Sequence, residues 1–563
     1  MTTRRTAAAL LGLSLVVSAC SAPDGGGERA ALSSSTASSP SAPSASSPSA
    51  SSPGSEPPSP TAPTSAPEVA RSAGAALGWG PTREELRRAG RIAARMPLPR
   101  LAGQVIVAEY DGQQAPTSLV NGLHLGGVIV MSDNVGSTDQ LRRSNRALQR
   151  AAREAGRRWP VFIGVDQEGG IVERVKGRAT RFPAFMSAGA AGDTGLTENA
   201  AAASGAELSA LGFSVVFAPS GDVTSGPGDP TIGSRSAGSR PKVVARQMNA
   251  AVDGYLSAGI LPVIKHFPGH GSVPADSHVE LPVQDKSLRQ LRASDLVPFR
   301  AGVEQGVPSV MVAHIDVRAV DPGRPSTVSR KVVRGMLRGD LGFEGLVVTD
   351  AMNMAAVADR FSSGEAAVRA LEAGNDVVLM PPSPVAARDG IIAAVRSGRL
   401  ARDRLERAAA RQIAILLHQD AVEPEVTRRP GTSGRASYRL SAGAVTVAGG
   451  PCRGRLVGGA VQAFGPGDAV ARFNAAAERA GLATGSGTSV ALVGYGGSGA
   501  NADVVVTMDT PYPLGSSSAR VAKIATYGDT PGAMRALVRV LLGRDRAPGQ
   551  LPVPVADVAR RGC

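Results

Sequence analysis

The chain predicts an α/β fold, a (β/α)8 TIM barrel followed by a smaller α/β sandwich domain. Three observations carry this. Eight apolar, β-branched runs alternate with Ala- and Arg-rich segments of helical spacing. Five of the runs are closely followed by an Asp or His. After a Pro-, Gly- and charge-rich break, a further α/β-like stretch begins.

In order, the runs are Gln104–Ala108, Gly127–Met131, Val161–Val165, Ser214–Ala218, Leu261–Lys265, Ser309–Ala313, Gly345–Thr349 and Asp376–Met380. Near-continuous apolar character suits parallel strands buried on both faces. Segments such as Asp139–Ala155 and Asn199–Leu211 supply helices between them. An open doubly wound sheet is the alternative, but no run is followed at once by a GxGxxG fingerprint. Asp166, Asp222, His266, His314 and Asp350 each stand just after a run. One such residue reads as a turn former or cap. Five at strand ends that converge read as the active face of a barrel. The barrel is expected over residues 80–420, closed by helical Arg402–Leu417. Residues 421–436 read as a linker and 437–563 as the second domain, with strands at Ser489–Val493 and Ala502–Val506 and a helix at Pro531–Leu542.

The N-terminus reads as an address. Arg4 and Arg5 precede an apolar run from Ala7 to Val17, too short to span a bilayer. The run ends in Val17-Ser18-Ala19-Cys20, which resembles a bacterial lipobox, with residues 1–19 as leader and Cys20 as the lipidated residue. An ordinary signal peptide with an incidental Cys is the other reading. Diacylation would supply the two chains that stable anchoring to the membrane requires. Residues 20–75 are mostly Ser, Pro and Ala and lack the apolar side chains needed to fold, so they read as a tether.

The formal charge of +14 favours anionic partners, although an Arg-rich genome composition would produce the same figure. No long basic run carries interleaved aromatics, so nucleic acid is not an expected partner. Cys452 and Cys563 are the two cysteines besides Cys20. Outside the cytoplasm they can oxidise to a bridge tying the C-terminus back, or remain separate thiols. They lack the paired ligand spacing of a zinc site, and no metal or organic cofactor is expected.

The densest chemistry lies in Lys265-His266-Phe267-Pro268-Gly269-His270-Gly271 and, four residues on, Asp276-Ser277-His278. It sets Lys and His at a strand end and an Asp–His pair in the loop beyond. A carboxylate two residues from an imidazole can fix its tautomer and stabilise the imidazolium, leaving the other nitrogen to move a proton.

This string closely resembles the diagnostic motif of the N-acetyl-β-glucosaminidase branch of glycoside hydrolase family 3. Three further segments are similar to family motifs in the same order. They are Asp166-Gln167-Glu168-Gly169-Gly170 with Arg174, Ile232-Gly233-Ser234-Arg235-Ser236, and Val347-Val348-Thr349-Asp350-Ala351-Met352. Ala237 stands where the family usually has Phe. The resemblance implies Asp350 as nucleophile, His278 as acid/base paired with Asp276, and sugar-binding roles for Asp166, Arg174, Arg235, Lys265 and His266. Lys265 or Arg235 near Asp350 would help keep it ionised. Glu168, His270 and His314 can equally be loop supports. In the last domain, Asp509-Thr510-Pro511-Tyr512, Gly528-Asp529-Thr530-Pro531 and Gly549-Gln550-Leu551-Pro552-Val553 are weaker echoes of the family's second domain.

The implied reaction is hydrolysis of terminal β-linked GlcNAc with net retention, through a glycosyl–Asp350 intermediate. GlcNAc-containing peptidoglycan fragments are the substrates a wall location suggests. An imidazole base carries no negative charge, so an anionic acceptor such as phosphate would not be repelled. A β-glucosidase or β-xylosidase of the same family is the main alternative, and a non-catalytic wall-binding lipoprotein the other. The low aromatic content of 3% favours a pocket for one terminal sugar over a long stacking groove.

Overall fold

The computed structural model describes residues 77–558 and 561–563. The leader at 1–19, Cys20 and the tether at 20–75 lie outside the described residues. Eight parallel strands form the expected barrel. They are β1 (Ile106–Ala108), β2 (Gly127–Val130), β3 (Phe162–Val165), β4 (Val215–Val216), β5 (Leu261–Pro262 continuing as Ile264–Phe267), β6 (Ser309–Val312), β7 (Leu346–Thr349) and β8 (Val378–Leu379). Ladders run β8-β1-β2-β3-β4-β5 and β5-β6-β7. A parallel bridge between Val348 and Val377 closes the ring from β7 to β8.

Every residue of β2, β3, β6 and β7 is buried. Their Val and Ile side chains fill the interior on one face and meet the helix ring on the other. The β6–β7 register, from Ser309 opposite Leu346 to Val312 opposite Thr349, sets Asp350 just past the end of its strand.

The helices start where their caps dictate. In α1 (Arg83–Ala94), Thr82 Oγ1 accepts from the Glu85 amide and the Glu85 carboxylate accepts from the Thr82 amide, a reciprocal capping box. Ser137 and Gln140 repeat the device for α2 (Thr138–Glu154). Asp193 caps α3 (Thr194–Ala210), and Pro occupies the first turn of α4 (Pro241–Ser257). These last two helices pack through small residues. A Cβ on Gly254 would stand 2.3 Å from the Glu198 carbonyl oxygen, so Gly is required there. The closing helix α5 (Arg402–Ala421) packs against α1 and runs four residues beyond the predicted Leu417. The next helix, α6 (Gly434–Ala444), begins inside the expected linker.

The second domain is a six-stranded sheet. Its strands are β9 (Thr446–Gly449), β10 (Ala460–Phe464), β11 (Ala483–Thr484), β12 (Thr488–Val493), β13 (Asn501–Thr507) and β14 (Ser518–Ala525), in the order β9-β14-β13-β12-β10-β11. Only the β9–β14 pair is antiparallel. Helices α7 (Gly467–Arg479) and α8 (Pro531–Leu541) pack on it, giving the expected α/β sandwich. It is stitched to the barrel by backbone hydrogen bonds from Ala184 to Tyr527 (2.8 Å) and from Gln550 to Ala190 (2.9 Å), and by the Arg181–Asp529 ion pair (3.2 Å).

Cys452 and Cys563 are joined as a disulfide across a sequence separation of 111. A loop of that length loses enough unfolded-state entropy for a stabilisation of up to about 4–5 kcal/mol. The Cys452→Ser/Cys563→Ser variant is therefore expected to unfold its second domain at lower urea than the wild type. Dithiothreitol should shift the wild type to the same midpoint, with no further effect on the variant.

Candidate active site

The polar residues that follow the strands meet at one end of the barrel, in an open pocket of about 1100 Å³. Asp166, Arg174, Arg235, Lys265, His266, His278 and Asp350 all line it. Asp276 is bonded to His278 behind the lining, with Asp276 Oδ1 2.7 Å from His278 Nδ1.

A buried carboxylate organises one wall. Glu168 receives Arg235 Nε and Nη2 in a two-pronged contact, each 2.9 Å, and Lys265 Nζ at 2.7 Å. Lys265 Nζ also donates to Asp166 Oδ1 at 2.7 Å. Burial opposes the Glu168 charge, but Arg235 and Lys265 outweigh it and hold the carboxyl below the usual range. Burial likewise opposes the Lys265 charge, and Asp166 and Glu168 overcome it, so the ammonium is retained. Arg174 differs: its Nε is buried and has no hydrogen-bond partner among the described residues. It is a donor free for a ligand.

Behind this wall, Asp222 is fully buried. Its Oδ2 lies 2.6 Å from His266 Nδ1, and its Oδ1 accepts from the His270 amide at 2.6 Å. His266 Nε2 is thereby aimed into the pocket, 3.2 Å from Arg235 Nη2. Burial raises the Asp222 pKa, but the His266 charge and hydrogen bond and the His270 amide bring it down from 3.8 to about 2. A carboxyl depressed in the fold adds stability that is present above the unfolded value and lost as pH falls through the folded one. The contribution is about 2 kcal/mol at 1.36 kcal/mol per pKa unit. Asp222→Asn should thus melt below the wild type near neutral pH, and the two melting curves should converge as pH falls from 3.8 to about 2.

Asp350 sits at the end of β7 and its Oδ1 accepts from the Ala351 amide at 2.8 Å. Burial would raise its pKa. His266 and His314, the Ala351 amide and then Lys265 outweigh burial, so the carboxyl is held below its ordinary value. The sequence pointed to Lys265 or Arg235 for this effect. The two histidines take precedence because Arg235 is turned onto Glu168. His314 lies behind Asp350, with Nδ1 2.6 Å from Thr327 Oγ1 and Nε2 2.9 Å from the Ala351 carbonyl.

The Asp276–His278 pair rides on the loop after β5. Asp276 Oδ1 also accepts from the His278 amide, at 2.9 Å. Burial raises the Asp276 pKa, but the two His278 hydrogen bonds lower it further, so it stays anionic. The His278 side chain is 63% exposed, the most open member of the set. His270 braces the loop from beneath, with Nε2 2.9 Å from Ser277 Oγ. Burial brings the His270 pKa down to about 4, so this brace is neutral.

Glu168, Asp222, His270 and His314 thus belong to the site as supports, and none of the four was among the predicted site residues. Glu168 lies within the Asp166–Gly170 string, which was its available signal. Asp222 had only its place after a strand. The second domain reaches the site through Asp509, which accepts from Ser234 Oγ beside Arg235. Among the described residues no Phe, Tyr or Trp lines the pocket; its apolar part includes Ile129, Met131, Met311, Met354, Leu379 and Met380.

A model of the glycosyl hydrolase family 3 N terminal domain matches residues 100–415. Over 282 residues the chain is 38% identical to beta-hexosaminidase A of Pseudoalteromonas piscicida, covering 47% of each chain, so it spans about half of that relative's length. Over 332 residues it is 34% identical to beta-hexosaminidase LpqI of Mycobacterium tuberculosis, covering 57% of this chain and 83% of the relative. A glycoside hydrolase family 3 beta-N-acetylglucosaminidase from Paenibacillus superposes with a TM-score of 0.74 at 29% identity, over 82% of this chain and 99% of that one. With the barrel, the strand-end carboxylate and a family match over more than half its length, the chain belongs to glycosyl hydrolase family 3.

Proposed function

We propose that the chain is a retaining exo-β-N-acetylhexosaminidase that removes terminal β-linked GlcNAc. The observation that carries the reading is Asp350, a half-buried carboxylate held ionised at a strand end in a pocket that His278 also lines. In the first step an Asp350 oxygen attacks the anomeric carbon. The His278 imidazolium gives its proton to the departing glycosidic oxygen, leaving a glycosyl ester and neutral imidazole. In the second, that imidazole takes a proton from water, whose oxygen displaces Asp350 and restores both groups. Two inversions give retention.

Asp166, Arg174, Arg235, Lys265 and His266 hold the sugar hydroxyls, with the unpartnered Arg174 Nε as one donor. The methionine-rich wall is suited to the acetamido methyl. Peptidoglycan fragments are the natural substrate on this reading, and diacylglycerol on Cys20 holds the mature chain at the outer membrane face. The likeness to beta-hexosaminidases and a beta-N-acetylglucosaminidase supports the hexosaminidase activity; the substrate source and anchor rest on the sequence alone.

The test is hydrolysis of paired chromogenic β-N-acetylglucosaminide and β-glucoside. Selective release from the N-acetyl substrate is the expected result. Preference for the glucoside would move the chain to the β-glucosidase reading, and silence on both from folded protein would favour a binding role.

A further inference from the structure

At the opposite end of the barrel, five guanidinium side chains surround one small pocket of about 520 Å³. Arg334 and Arg338 come from the helix Lys331–Asp340, Arg404, Arg407 and Arg411 from α5, and Gly374 leaves the floor without a side chain. The spacings i, i+4 and i, i+3, i+7 put each set on one helix face.

Three of the five have structural work. The buried Asp376, two residues before β8, receives Arg338 Nη2 at 2.6 Å and Arg404 Nη2 and Arg411 Nη1 at 3.3 Å each. Remaining donors on these arginines bond the carbonyls of Gly345 (3.2 Å), Leu371 (3.1 Å) and Glu344 (3.1 Å). This ties α5 and its neighbour to the starts of β7 and β8. The other two have no such duty. The Arg334 side chain makes no hydrogen bond or ion pair among the described residues, and Glu372 is the carboxylate that attracts it. Arg407 meets only Asp403, at 2.7 Å, with both side chains more than half exposed; such a pair holds its charges weakly.

Five positive charges thus face three carboxylates, of which Asp403 is solvated and Glu372 already pairs with Arg330 and Arg399. The crowding is felt by the groups themselves. Burial first, then Arg330 and Arg407, lower the Arg334 pKa against the pull of Glu372, while burial and the neighbouring guanidiniums bring Arg404 down to about 10 against the pull of Asp376. The clamp on Asp376 does not require Arg334 or Arg407, and their planar donor edges suit an acceptor with several oxygens sharing negative charge.

We propose that this pocket binds a phosphate-class oxyanion, carried either by a free phosphate compound or by a lipid headgroup. The site lies a strand's length from Asp350, which follows the end of β7, whereas Asp376 meets the start of that strand through the Val347 amide at 3.1 Å.

The test uses the full chain with Cys20→Ser, so that no lipid inserts. Inorganic phosphate is titrated by calorimetry with chloride exchanged to hold ionic strength constant. Wild type should bind saturably, and Arg334→Gln/Arg407→Gln should bind at least about tenfold more weakly. Arg87→Gln/Arg91→Gln, which removes the same charge from exposed positions on α1, should bind as wild type does. Turnover of a small chromogenic substrate should be unchanged in both variants. Vesicles of phosphatidylglycerol, compared with phosphatidylcholine, separate the sources. Vesicle binding lost only in the pocket variant assigns a lipid headgroup; vesicle binding unaffected there, with phosphate binding lost, assigns a free phosphate. Absence of saturable phosphate binding, or equal loss in both double variants, overturns the proposal.

Discussion

Asp350→Asn is expected to lower kcat for a chromogenic β-N-acetylglucosaminide by on the order of 10⁴-fold, about 5 kcal/mol of transition-state stabilisation. The side chain is half-buried, anchored by the Ala351 amide and faced by His266, His314 and Lys265. These surroundings favour a negative charge, and the amide removes it while keeping the shape. The fold should hold, because Asn still accepts the Ala351 hydrogen bond and β7 stays paired with β6. Substrate affinity should survive, since the proposed hydroxyl contacts come from other side chains. The measurement is kcat and KM beside a thermal melt. A folded variant with turnover within tenfold of wild type would remove Asp350 as nucleophile. The lowered Asp350 pKa also fixes a sign: the group gains its charge below its ordinary value of 3.8, so its ionisation should impose no loss of rate above that pH.

How much of this could be read beforehand follows from where the physics is local. The eight barrel strands were legible because burial on both faces turns each into a continuous apolar run, as in Leu346–Thr349. In the second domain β12 and β13 were legible for the same reason, while β9, β10 and β14 were not. β10 has Val461 as its one buried residue, and β14 alternates partly exposed positions with Arg520 and Lys523 in the strand. A half-solvated strand carrying cations has the composition of a loop.

The site divides along the same line. Asp166, Lys265, His266, Asp276, His278 and Asp350 stand in compact strings after apolar runs. Supports are harder to read because their partners are remote. Glu168 meets Arg235 across 67 residues, and Asp222 meets His266 across 44. Nothing in the local pattern tells a carboxylate that clamps two cations from one that shapes its own loop. The order of influence on Asp350 was equally out of reach, because it depends on Arg235 having turned toward Glu168. The arginine pocket escaped for a further reason. Its members alternate with Glu and Asp along α5, which reads as a solvated helix face until Asp376 gathers three of them.

His278→Ala should separate two roles that a single activity loss would blur. Removing a positioned general acid costs about 10²–10⁴-fold when the leaving oxygen needs its proton. On an alkyl or saccharide glycoside, kcat/KM is therefore expected to fall by that range. An aryl glycoside with a strongly acidic phenol leaves without help, so its first step should be far less affected. The enzyme would then stall at the glycosyl ester, for lack of a base to activate water. Azide needs no deprotonation, so added azide should restore turnover of the aryl substrate and yield the β-glycosyl azide. A purely structural role for His278 would depress both substrates alike and give no azide product. Asp276→Asn should show a weaker form of the same pattern. The Asp276 carboxylate holds His278 Nδ1 at 2.7 Å, and an amide can neither stabilise the imidazolium as well nor enforce that tautomer. The exposed position of His278 makes this comparison clean, because replacing a 63% exposed side chain leaves the packing around Asp350, Glu168 and Asp222 untouched.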